Sequence, residues 1–193
     1  MIGIIRFALA VSVVAYHFHP SVFRWTGPLA VFSFYTVSGF LISRVLTDSY
    51  AGRPMAFIAN RGLRLFPAYY LAAALGLLAA ATVSSVNPAL TIPDDPGSAI
   101  RQITIFGLLT TANEPFPIRL VPVAWSLNME LVWYLAMIPL VRVPRTWLVL
   151  ASIPAALFIV TNDFRWAYYS VAGPALCLAL GAYAYLSGYR PGR

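Results

Sequence analysis

Apolar stretches of about twenty residues, broken by short turns rich in proline, glycine and arginine, recur along this chain and constrain it more than anything else. Composition agrees, since 60% of the 193 residues are hydrophobic, only 10% are charged and the mean hydropathy is +0.76. The expectation is an all-α, polytopic integral membrane bundle. Arg6 lies close to Met1 and no small-residue cleavage site follows, so the first apolar segment is expected to be structure and not a signal peptide.

Six membrane segments are expected, at about Ile2 to Phe18, Leu29 to Leu46, Arg61 to Val83, Pro122 to Val141, Thr146 to Val160 and Trp166 to Leu186. Thr47 to Asn60, with Gly52, Arg53 and Pro54, reads as a polar loop. Between Ser84 and Val121 the prolines at 88, 93, 96, 115 and 117 forbid one regular helix. Within it, Ser98 to Thr111 is short and apolar enough for an interfacial or re-entrant helix. No repeat or linker divides the chain, so residues 1–193 are expected to form a single domain.

All thirteen basic side chains are arginines, and the net charge is +7. They fall at the ends of apolar segments, which assigns them to membrane orientation and points away from nucleic acid. With the loop after the second segment inside, eight arginines (44, 53, 61, 64, 142, 145, 190 and 193) face the cytoplasm. Four (24, 101, 119 and 165) face out. The expected location is therefore the inner (plasma) membrane, multi-pass, with both termini cytoplasmic. One cysteine, Cys177, permits no intrachain disulfide, and with only His17 and His19 as imidazoles no metal site is expected.

Several polar groups stand where an apolar helix should have none. Arg6 and His17 are eleven residues apart, which returns a helix to almost the same angle and separates them by roughly 16 Å along its axis. Ala10 and Val13 lie between them on the same stripe and leave room for a groove or a close helix. One reading is a polar track down the helix; the plainer one is that both side chains reach opposite interfaces. Arg61 and Arg64 share a face and read either as phosphate ligands beside a helix N-terminus or as topology-setting charges.

Glu130 lies well inside the fourth segment, on the face of Ser126. A carboxylate there must pair, protonate or line a cavity, so it is either functional, with Arg6, His17 or an outer arginine as partner, or a structural contact between helices. Ser38-Gly39 reads as small residues that let helices approach.

Together these stretches resemble the membrane acyltransferase 3 family, bacterial O-acyltransferases that modify cell-surface sugars. The resemblance consists of Arg6 and His17 at the family's arginine, ten residues, histidine spacing; Ser-Gly-Phe-Leu-Ile at 38–42; Arg-x-x-Arg at 61 and 64 followed by Pro67; and Trp-Ser-Leu-x-x-Glu at 125–130. It covers roughly residues 1–140. It implies transfer of an acyl group, usually acetyl, from cytoplasmic acyl-coenzyme A to a hydroxyl of a cell-surface or lipid-linked carbohydrate. Arg61 and Arg64 would hold coenzyme A phosphates, Arg6 would line the thioester's path, and His17 would be the general base. Glu130 would orient His17 or stabilise its imidazolium.

Two departures stand out. Family members commonly have about ten membrane helices against six expected here, and Gly3, Ile4 and Ile5 stand where an acidic residue often precedes the motif arginine. A homo-oligomer, or a partner supplying the missing helices, would complete the wall. The alternative function is a catalytically inactive or incomplete relative that binds a membrane glycan or lipid or assists export.

Overall fold

A computed structural model describes residues 2–82, 92–106, 120–121 and 124–188. Its described residues are helical, with no strand among them. The helices are α1 (Ile2–Phe18), α2 (Thr26–Arg44, continued by a π turn at Val45–Ser49), α3 (Pro54–Thr82), α4 (Pro96–Thr104), α5 (Ala124–Leu140), α6 (Pro144–Thr161), α7 (Phe164–Tyr169) and α8 (Ala175–Leu186). Among the described residues, three spans are long and apolar enough to cross a membrane, Thr26–Ser49, Pro54–Thr82 and Pro144–Thr161. The chain is a membrane protein. The six expected spans become three because α1, α5 and α8, though apolar, are only 17, 17 and 12 residues long as described, below the roughly 20 a bilayer core requires.

Two boundaries differ from the sequence expectation for local reasons. α3 starts at Pro54, seven residues before Arg61, because proline is preorganised for a first helical position and needs no N–H partner there. The Arg53 carbonyl accepts the Phe57 N–H at 3.2 Å to begin the ladder. The expected sixth segment is broken by Gly173-Pro174 into α7 and α8. Gly173 is held tightly there, since a Cβ would strike the Ala167 carbonyl.

The residues divide into two compact units, Met1–Gly52 with Ala136–Arg193, and Arg53–Leu135. In the first, α2 packs on both α1 and α8, and α8 also packs on α6. The α2–α8 contact is made by two glycines in reciprocal positions. A Cβ on Gly39 would run into the Leu178 carbonyl, and one on Gly181 into the Thr36 carbonyl. Without a hydrophobic drive between helices in lipid, such backbone approach is what gains dispersion energy. Leu178, Ala179 and Ala182 are accordingly buried. At one end of this pair, the Tyr185 hydroxyl donates to both oxygens of Asp48 at 2.6 Å.

In the second unit, α4 is capped by Asp95, whose carboxylate accepts the Ser98 N–H at 2.9 Å, with Pro96 in the first turn. These bonds from Ser98 hold the Asp95 carboxyl below the usual carboxylate range. At the other end of α4, side chains from α3 and α5 take up the terminal carbonyls. Tyr69 donates to Gln102 O at 2.5 Å, Tyr70 to Ile103 O at 3.0 Å, and Asn128 Nδ2 to Ile105 O at 3.0 Å. Ile105 is wholly buried at φ 66°, a left-handed conformation that these bonds hold in place. The second half of the expected 98–111 helix lies outside the described residues.

Asn128 is itself buried, so Asn128→Leu leaves the Ile105 carbonyl without its donor. The expected cost is about 1–3 kcal/mol, read as a lowered thermal midpoint in detergent; an unchanged midpoint would contradict this role.

Candidate functional site

Four of the polar groups singled out in the sequence are placed as follows. Arg6, half-buried, and His17, exposed, lie on α1, with the His17 ring edge-on to Tyr16 at 5.3 Å. Tyr16 in turn closes on Gly27 of α2, where a Cβ would collide with its ring. Arg61 and Arg64 lie on α3, the first half-buried and the second exposed.

Because α3 begins at Pro54, Arg61 stands seven residues, about 10 Å, into the helix. Its backbone N–H is inside the ladder, so the argument from a helix N-terminus does not apply to this pair. What the structure offers instead is a cage of rings. The Arg61 guanidinium carbon lies 5.3 Å from the Phe57 ring centroid and 5.7 Å from that of Tyr134. The two rings meet edge to face at 5.9 Å. Phe57 is fully buried and Tyr134 nearly so. A guanidinium on desolvated aromatic faces gains about 2 kcal/mol and keeps its charge, so the rings fix Arg61 without neutralising it.

Glu130 belongs to the same unit. Its Oε1 accepts a hydrogen bond from the Tyr134 hydroxyl at 2.5 Å, one helical turn further along α5. Tyr134 thus carries a cation on its ring and a carboxylate on its hydroxyl. The charges of Glu130, Arg61 and Arg64 all act on that phenol. Arg61 nevertheless has its Nε buried with no hydrogen-bond partner among the described residues. A buried N–H left open in this way costs about 1–3 kcal/mol, which an anionic acceptor would recover.

The sequence did not single out Phe57 or Tyr134. The signal was available, since Phe57 precedes Arg61 by four residues and Tyr134 follows Glu130 by four, the spacing of helical neighbours. Glu130 was expected beside Arg6, His17 or an outer arginine; the partner the structure gives it is Tyr134.

The chain is similar to the exopolysaccharide production protein ExoZ of Rhizobium meliloti (strain 1021), 27% identical over 124 residues, which is 63% of this chain and 36% of that protein. The aligned part of the chain thus spans about a third of the length of this curated relative. No family model matches the chain. No solved structure matches it.

Proposed function

We propose that this membrane protein is an O-acyltransferase that moves an acyl group, acetyl first, from cytoplasmic acyl-coenzyme A to a hydroxyl of an exopolysaccharide or its lipid-linked precursor. The observation that carries the reading is Arg61, a guanidinium fixed by two rings with a buried N–H that no group among the described residues accepts, beside exposed Arg64 on the same helix face. Such a pair suits the phosphates of a coenzyme A thioester. The motif order along the chain and the similarity to an exopolysaccharide production protein supply the acceptor class.

In this account the acceptor oxygen attacks the thioester carbonyl, an O–C bond forms and the C–S bond breaks. His17 takes the hydroxyl proton and returns one to the departing thiolate, a task suited to a group that titrates near neutral pH. Arg6 lines the thioester's path, and Glu130 contributes the negative charge of the site, held by the Tyr134 hydroxyl. We place the protein in the inner membrane with both termini cytoplasmic, and read α4 as re-entrant. Its last carbonyls are bonded by Tyr69 and Tyr70, about 22 Å along the 29-residue α3, and irregular backbone at that depth is tolerated only where protein groups satisfy it.

Proteoliposomes supplied with radiolabelled acetyl-coenzyme A and a chemically deacetylated bacterial exopolysaccharide test the reading. Label is expected in the polysaccharide. A folded protein that neither binds the thioester nor transfers label would contradict it.

A further inference from the structure

The cluster on α3 and α5 holds a contradiction in simple electrostatic terms. A half-buried carboxylate and a half-buried guanidinium sit on two sides of one tyrosine, and yet the guanidinium Nε has no acceptor among the described residues. In a medium of low dielectric, opposite charges on two sides of one residue favour an ion pair with hydrogen bonds between them if nothing holds them apart. Tyr134 occupies both at once: its hydroxyl satisfies Glu130, and its ring face, with that of Phe57, holds Arg61.

We infer that Tyr134 is an insulating residue, one that keeps Glu130 from pairing with Arg61 and so preserves the Arg61 N–H groups for an anionic ligand. The inference rests on the acyl-coenzyme A reading only in the identity of that anion, the donor's phosphate. Tyr134 is a positioning residue in this scheme and touches no reacting atom. Its two functions are separable, because phenylalanine keeps the ring and loses only the hydroxyl.

Tyr134→Phe frees Glu130 to turn to Arg61 while leaving the aromatic cage intact. Binding of acetyl-coenzyme A to the detergent-purified chain should weaken about tenfold, the effect of one charge-assisted hydrogen bond withdrawn from the ligand. Adding Glu130→Gln to Tyr134→Phe removes the competing carboxylate and should restore the affinity to within about twofold of the wild type. Loss of packing at residue 134 would not be repaired by a change at residue 130. Wild-type binding with an unaltered Tyr134→Phe, or a weakened Tyr134→Phe that Glu130→Gln fails to rescue, would overturn the insulating role alone. Absence of binding by the folded wild type would instead remove the acyl-coenzyme A reading, and this inference with it.

Discussion

His17→Ala is expected to lower acyl transfer by about 100-fold to 10,000-fold, the usual contribution of a positioned general base, while acetyl-coenzyme A still binds. The side chain is exposed at the last turn of α1, and its ring contact is an edge-on one with Tyr16. Truncation therefore opens no cavity and should leave folding and membrane insertion unchanged. Transfer measured from labelled acetyl-coenzyme A, with binding measured on the same preparation, separates the two effects. Retained full transfer would remove His17 from the mechanism.

The second large effect is structural. Gly39 lies in the Ser-Gly-Phe-Leu-Ile stretch, and its function is the approach of α2 to α8, where Leu178 offers backbone and not a movable side chain. Gly39→Leu must push the helices apart, and with Gly181 pressing Thr36 from the other side the contact has no slack. The overpacking cost exceeds the usual range of about 1–3 kcal/mol, because backbone cannot yield as a rotamer can. The expected result is loss of the monodisperse, folded species on size exclusion in detergent. Gly3→Leu, at a position with open space around it, should behave as the wild type. A well-folded Gly39→Leu would refute the close α2–α8 contact.

The sequence made some of this legible and hid the rest for physical reasons. α1 was read to the residue because an apolar run ends at His19-Pro20, and the helix class followed from long apolar runs in which a backbone must satisfy itself. The start of α3 differs from the sequence expectation because Gly52, Arg53 and Pro54 together read as a loop, whereas proline also begins helices. The break before α8 was hidden inside an apolar run, where Gly173-Pro174 outweighs hydropathy.

At the site, Arg61, Arg64 and Glu130 each stood out as charges in apolar surroundings, but the tyrosine between them did not. Periodicity reports neighbours within a helix, so it offers Phe57 with Arg61 and Glu130 with Tyr134 as pairs. That α3 and α5 bring those pairs together is tertiary information that spacing along one helix does not carry. The same limit leaves α4 open between interfacial and re-entrant in the sequence; the bonds that Tyr69, Tyr70 and Asn128 make to its carbonyls are tertiary and support the re-entrant proposal.

The measurement that tests the central claim most directly is the affinity of the purified chain for acetyl-coenzyme A, compared with that of the Arg61→Ala/Arg64→Ala variant. The account predicts binding by the wild type and a loss of about 100-fold in the variant, since two charge-assisted contacts to phosphate disappear together. Equal affinity in the two proteins, or no binding by a folded wild type, would contradict the assignment of these arginines to an acyl donor.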